Sequence, residues 1–247
     1  MRLTIVGCSG SAPGPDGPAS AYLVEQDGFR LLLDLGSGAF GALQRYVDPA
    51  RVDAVVLSHL HADHCLDLTA MVVHRRHVVA GLPPLPVLGP AGTDERLALA
   101  YDPAAPDGLR DVFDVRTVAP GERELGPFRL RFARVAHPVP THAVRVSAGG
   151  RDLVYSGDTG PSDALVGLAA GADVLLCEAS FADTDPRPPD LHLTGREAGE
   201  HAARAGVGRL LVTHVPPWAD APAIAAEAAA AFPGPSSPVR PGDTYEL

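Results

Sequence analysis

The 247-residue chain reads as a single α/β domain, 1–247. Three observations carry that reading. Short aliphatic runs of strand type alternate with stretches of helical period through both halves of the sequence. No linker or low-complexity segment divides it. Its length fits one α/β domain of roughly 250 residues, and 46% hydrophobic with 20% charged residues is ordinary for a chain with a substantial core.

The elements follow in order. Met1–Gly7 has the composition of a first strand and lacks the longer apolar stretch and cleavage site of a leader. The Gly- and Ser-rich loop Gly7–Gly14 matches neither common phosphate-binding fingerprint; it reads as a tight turn or as backbone donors toward a substrate. Ala21–Val24 and Phe29–Asp34 make a hairpin around Gln26-Asp27-Gly28. Gly36-Ser37-Gly38 opens a helix over Ala39–Tyr46, and Val52–Leu57 is a buried strand. Leu68–Val79 has helical spacing and carries His74 and His77 on a partly exposed face beside Arg75-Arg76. The proline-rich stretch Gly81–Pro90 contains strand Val87–Gly89; helix Thr93–Tyr101 and loop Pro103–Gly108 follow. Strands are then expected at Phe128–Phe132, Ala143–Val146, Leu153–Ser156, Val174–Cys177 and Leu210–Thr213. Helices are expected at Ser162–Ala170, Thr194–Ala205 and Ala221–Ala230.

Charge narrows the partners. The formal net charge is −10, and all 20 basic residues are arginine. An extended polyanion needs many phosphates neutralised, so a long nucleic acid is disfavoured and a small anionic substrate favoured. No segment approaches the ~20 consecutive apolar residues of a membrane span, so no membrane partner is expected. Cys8, Cys65 and Cys177 are odd in number, far apart and outside any C-x-x-C pair, which predicts reduced thiols in the cytoplasm.

The chemistry concentrates in His59-Leu60-His61-Ala62-Asp63-His64, three imidazoles and a carboxylate at the end of an apolar strand. Such donors suit Zn²⁺, Mn²⁺ or Fe rather than Ca²⁺ or Mg²⁺. Four of them on one short loop do not reach a single tetrahedral ion without strain. They predict two neighbouring cations, with His59 and His61 on one and Asp63 and His64 on the other. In the second half, His137, Asp158, Glu178 and His214 each follow an apolar strand, and the C-terminal ends of parallel strands converge on one rim. Asp158 is the natural shared ligand, with His137 completing one shell and His214 the other.

These residues resemble a known pattern. His59-x-His61-x-Asp63-His64, His137, Ser156-Gly157-Asp158-Thr159 and Thr213-His214 are similar to the metallo-β-lactamase superfamily over essentially the whole chain. The resemblance implies a four-layer αββα sandwich, two mixed β-sheets flanked by helices, with two divalent metal ions at one edge and Zn²⁺ foremost. Asp158, where the lactamases commonly carry cysteine, points away from β-lactam hydrolysis. His61, where redox di-iron members carry glutamate, points away from oxygen chemistry. Cys177-Glu178-Ala179-Ser180 and His192-Leu193-Thr194 resemble two short motifs of the phosphodiesterase branch that includes the tRNA 3′-processing endonucleases. That resemblance implies a proton-donor role for His192 and a supporting one for Glu178, which with Asp63 form the expected catalytic set. Cys177 and Ser180 depart from the usual His-Glu-Ala-Thr form. The likeness is greatest to actinobacterial cyclic-nucleotide phosphodiesterases of the superfamily, which implies hydrolysis of 3′,5′-cyclic nucleotides such as cAMP.

Three other readings share these residues. A tRNA 3′ endonuclease of this kind usually carries an inserted arm between the positions of His137 and Asp158, where only Pro138–Gly157 stands here. A thioester or lactone hydrolase would leave His192 without a task. An inactive metal-binding scaffold would not need the full set of ligands. His142 is expected in a solvated loop and Arg145 on an exposed strand face. Trp218 is open between stacking on a base and packing in the core or a homodimer interface.

Overall fold

Strand β1 (Arg2–Gly7) leads into a hairpin of β2 (Ala21–Gln26) and β3 (Phe29–Leu33). Asp27 and Gly28 both hold positive φ, 50° and 81°, the turn geometry that matches the twist of flanking strands. Helix α1 (Ala39–Leu43) follows, then β4 (Ala54–Val56), the single turn α2 (Ala62–Cys65), α3 (Leu68–Val73), β5 (Leu85–Gly89), α4 (Thr93–Tyr101) and β6 (Phe113–Thr117). The second half runs β7 (Gly121–Leu125), β8 (Phe128–Arg134), β9 (His142–Ala148), β10 (Arg151–Tyr155), α5 (Asp163–Ala169) and β11 (Val174–Glu178). It ends with α6 (Gly195–Ala205), β12 (Arg209–Thr213), α7 (Ala221–Ala231), β13 (Ser236–Pro238) and β14 (Thr244–Glu246). The computed structural model describes residues 1–79, 81–102, 104 and 108–247.

The strands form two seven-stranded sheets, β14-β1-β2-β3-β4-β5-β6 and β13-β12-β11-β10-β9-β8-β7. Both are mixed: β3 to β6 and β10 to β13 run parallel, the remaining pairs antiparallel. This connectivity sends β1, β3 and β4 in one direction, and likewise β8, β10, β11 and β12. The loops that leave these strands therefore gather on one edge of the sandwich.

Alternation along each strand builds the layers. Leu31 and Leu33 turn inward with Tyr22, Leu130, Phe132, Val144, Tyr155 and Leu176. Leu23, Leu32 and Val55 turn outward onto Leu68 and Met71 of α3. Val154, Leu175 and Leu210 face Leu165, Ala198 and Ile224 of α5, α6 and α7. Each such side chain taken fully from water contributes about 1.5–3 kcal/mol. The result is the αββα sandwich that the motif resemblance implied.

Several boundaries differ from the sequence reading. The expected helix over Ala39–Tyr46 stops at Leu43, and the Leu68–Val79 helix is α-helical only to Val73 before widening into a π-turn over His74–Val78. The Val52–Leu57 strand shortens to Ala54–Val56 behind a 3₁₀ turn, Pro49–Arg51. Edge and near-edge strands β6, β7, β13 and β14 escaped notice. Segments such as Gly121-Glu122-Arg123-Glu124-Leu125 are largely solvated and carry charge rather than an apolar run. Of the loop expected over Pro103–Gly108, residues 103 and 105–107 lie outside the described residues. Among the described residues, no helix is long and apolar enough to cross a membrane, and all three cysteines are free thiols.

Candidate metal centre

At the end of β4 the chain turns from a buried apolar strand into α2, and that one turn orients three of the four clustered donors. His59 precedes α2, His61 is its N-cap, and Asp63 and His64 lie within it. The turn is seated on the loop after β3: the Leu35 N–H donates to the His64 carbonyl over 2.8 Å. Gly36 packs so closely on the Asp63 carbonyl that no Cβ would fit.

The second sheet supplies the rest from separate strand ends. His137 lies past β8, Asp158 past β10, Glu178 at the last position of β11, and His214 directly after β12. His214 takes φ +58°, the left-handed region that costs a side chain energy unless its surroundings hold it there. The Gly7–Gly14 loop does so. Gly10 lies against the His214 carbonyl with no room for a Cβ, and its N–H donates to the Val215 carbonyl over 3.1 Å.

The structure brings all seven expected ligands together in two groups. One comprises His59, His61, His137 and Asp158, the other Asp63, His64, Asp158 and His214. Within each, the donor atoms lie within 4.8 Å of one another, and Asp158 belongs to both. This is the partition expected from the sequence. A third cluster joins Glu178, His192 and His214.

Hydrogen bonds on the outer side of the rings test whether a cation fits. His64 Nδ1 lies 2.8 Å from the Asp34 carboxylate and His137 Nδ1 lies 2.8 Å from the Leu191 carbonyl. Those oxygens only accept, so both Nδ1 atoms carry the proton and both Nε2 atoms turn lone pairs inward. His64 Nε2 then stands 3.1 Å from His214 Nε2, and His59 Nε2 stands 3.0 Å from His61 Nδ1. Between them Asp158 Oδ1 is buried without a hydrogen bond among the described residues. Converging lone pairs and an unpaired buried carboxylate oxygen are the surroundings that a cation satisfies. Burial would lower His64, but without a cation the Asp158 and Asp34 carboxylates hold its imidazole well above the ordinary value, a proton that a bound cation would displace. Burial pushes the His137 imidazole down to about 4, which keeps it neutral. Burial would raise Asp63, but the His214 and His64 imidazoles that face it hold it well below the carboxylate range.

His192 forms the other half of the site. Its Nδ1 is 2.9 Å from Glu178 Oε1, and its ring centroid lies 5.5 Å from that of His137 and 5.4 Å from that of His214. Burial lowers its basicity, yet the adjacent Glu178 carboxylate outweighs that and lifts it to about 9. Glu178 is fully buried and also accepts from the Thr159 N–H over 2.6 Å. The segment bearing His192 enters α6 through a capping box, with Thr194 and Glu197 each bonding the other's backbone N–H.

Sequence reasoning missed Asp34. Its buried carboxylate accepts from His64 Nδ1, from the Ser58 N–H and hydroxyl over 2.7 and 2.8 Å, and from the Tyr155 hydroxyl over 2.7 Å. The signal was present, because Asp34 is also a carboxylate ending an apolar strand. Two other expectations need correction, and one open reading narrows. His142 is not a loop residue: it is buried at the start of β9 in register with Arg134, its N–H bonded to the Ser58 carbonyl over 3.0 Å. Arg145 is not a free strand arginine. It forks onto Asp152 over 3.1 and 2.8 Å and donates to the Leu168 and Ala170 carbonyls at the end of α5. Trp218 is 71% exposed and takes no part in the core.

Comparison with known proteins agrees with this geometry. Residues 30–215 match the model of the beta-lactamase superfamily domain. An uncharacterized protein of Mycobacterium leprae is 47% identical over 253 residues, covering 100% of this chain and 89% of that one. The probable metallo-hydrolase YhfI of Bacillus subtilis is 31% identical, covering 100% of both. A ribonuclease Z of Halorubrum lacusprofundi is 31% identical, covering 100% of this chain and 97% of that one. Among solved structures, Bacillus subtilis YhfI superposes with a TM-score of 0.89 at 28% identity, covering 100% of this chain and 98% of that one. Two more distant ones share the fold: the short form of human tRNase Z (TM-score 0.81, 20% identity, 100% and 99% covered) and a diphosphatase of the PhnP family (0.78, 19%, 100% and 97%). Fold, ligand geometry and relatives agree that this chain belongs to the metallo-β-lactamase superfamily and is one of its metal-dependent hydrolases.

Proposed function

We propose that the protein is a dinuclear phosphodiesterase that hydrolyses 3′,5′-cyclic nucleotides such as cAMP. His59, His61, His137 and Asp158 hold one cation, and Asp63, His64, Asp158 and His214 the other. The His/Asp donor set makes Zn²⁺ the first choice, ahead of Mn²⁺ or Fe. The carrying observation is the His192–Glu178 pair, 2.9 Å apart and adjoining both ligand groups.

Two divalent cations held there supply an activated water and neutralise charge on the phosphoryl oxygens. The chain supplies the proton. A ribose oxygen departs as a poor alkoxide, so cleavage gains from an acid at that position. Nδ1 of His192 is tied to Glu178, which leaves Nε2 on the free side of the ring. With its basicity raised to about 9, His192 is protonated at neutral pH.

The substrate's size is inferred from the surroundings. A cavity of about 470 Å³ borders His192, walled in part by Pro161, Pro188 and Pro189. The chain between His137 and Asp158 is used up by β9, β10 and the tight Gly149-Gly150 turn, leaving no arm to grip a tRNA body. The net charge of −10 points the same way. Free thiols at Cys8, Cys65 and Cys177 accord with a reducing, cytoplasmic setting. The ribonuclease Z relatives favour the second reading, a tRNA 3′ endonuclease.

Purified, metal-loaded protein assayed side by side on cyclic nucleotides, pre-tRNA and a thioester separates these readings. Cyclic-nucleotide turnover is expected. Cleavage of pre-tRNA alone would transfer the assignment to the endonuclease, and inertness on every phosphodiester would defeat it. His192→Ala should lower kcat about 10²–10⁴-fold with metal content preserved; loss of metal in that variant would make His192 structural.

A further inference from the structure

Ser180 stands where the resembling motif carries threonine, and neither the ligand set nor the acid pair accounts for it. Its side chain is buried, 3% exposed, between the two. The hydroxyl oxygen lies 3.1 Å from His214 Nδ1, 3.2 Å from Glu178 Oε2 and 3.0 Å from the His214 carbonyl. We propose that Ser180 is a positioning residue that fastens His214 and the Glu178–His192 acid pair together through one hydroxyl.

Hydrogen-bond bookkeeping gives the directions. With a cation bound, His214 Nε2, which faces Asp63 Oδ2 and His64 Nε2 at 3.1 Å each, would be the inward ligand atom, leaving the proton on Nδ1. Nδ1–H donates to the Ser180 oxygen. The hydroxyl has one proton for two acceptors, Glu178 and the His214 carbonyl, and a carboxylate is the stronger acceptor. Glu178 then receives Ser180 on Oε2, and His192 Nδ1 and the Thr159 N–H on Oε1. Three donors on two oxygens fix the carboxylate plane, and that plane sets the ring of His192. The same hydroxyl meets the outer nitrogen of the His214 ring and so holds that ring's orientation. One side chain thus sets the distance between the ligand shell and the acid.

The kinetic test rests on the proton-donor reading of His192; the spectroscopic test does not. Cyclic nucleotides need a protonated leaving group, whereas a p-nitrophenolate leaves without one. In Ser180→Ala, the ratio of kcat on cAMP to kcat on bis(p-nitrophenyl) phosphate should fall at least tenfold, with KM nearly unmoved and Ser180→Thr restoring the ratio. Being a ratio, it is independent of how much of the variant folds. An unchanged ratio, or no rescue by threonine, overturns the proposal. Independently, proton NMR of the Zn²⁺-loaded protein in water should show the ring N–H signals of His214 and His192, assigned with single His→Gln variants. Ser180→Ala should remove or shift the first and shift the second. If both stay in place, Ser180 does not join them, whatever the substrate proves to be.

Discussion

The two sheets build their halves of the site differently. The first delivers four donors from one turn, His59 to His64, and fastens that turn at a single buried carboxylate, Asp34. Through Ser58, whose hydroxyl also lies 3.0 Å from His59 Nδ1, Asp34 reaches both ligand groups. The second sheet delivers His137, Asp158 and His214 from three strand ends, each with its own outer contact or none: Leu191, nothing among the described residues, and Ser180. A contiguous cluster shares one anchor, so its members stand or fall together. Dispersed ligands are held one at a time and should fail one at a time.

The largest expected effect breaks this pattern at the residue both groups share. Asp158→Ala should remove both cations and lower turnover by more than the roughly 100-fold that outer partners of a ligand already command; elemental analysis showing two metals retained would refute its bridging place. Next comes the single anchor. Asp34→Ala should cost about 10–100-fold in metal affinity and lower both sites at once, whereas Ser180→Ala should lower the His214 side alone. Competitive chelation with two resolved steps distinguishes the two outcomes. Asp34→Ala should also cost about 1–3 kcal/mol of stability per orphaned donor, read as a lowered denaturation midpoint for a chain that leaves Ser58 and Tyr155 unpaired.

A smaller effect sharpens the second-sheet half. The donor form of His192 is the protonated one, present below its raised pKa and lost above it. The kcat of the wild type should therefore stay level through neutral pH and fall as pH rises through about 9. Glu178→Gln removes the charge that holds the proton, so that limb should move down toward the ordinary histidine value near 6.5. A limb that stays in place would assign the titration to another group. The smallest effect lies farthest from the chemistry. Arg145→Ala leaves the end of α5 without its donors and should lower stability by about 1 kcal/mol, with kcat unchanged.

Much of this was legible in the sequence because it is local. An apolar run followed at once by a polar donor marks a strand end; that placement and the His59–His64 cluster picked out the seven candidate ligands, Glu178 and the division around Asp158. The same placement would have found Asp34 had that carboxylate been weighed with the rest. The edge strands were not legible, because a strand with one solvated face and charged side chains carries no hydrophobic period. The places of His142, Arg145 and Ser180 were not legible either. Strand register put His142 under cover beside Arg134, and the close of α5 claimed Arg145.

The sequence by itself determined which groups could bind a cation and how they would divide. Those depend on residue type and spacing along the chain; the proton-donor reading of His192 came from the motif resemblance. The tertiary structure alone decided what holds each group in place: Asp34 beneath His64, Leu191 behind His137, and Ser180 between His214 and Glu178. These contacts join different strands and loops, with partners far apart in sequence except for Ser180 and Glu178. Their directions follow from how two twisted sheets stack, and spacing along one chain does not encode that.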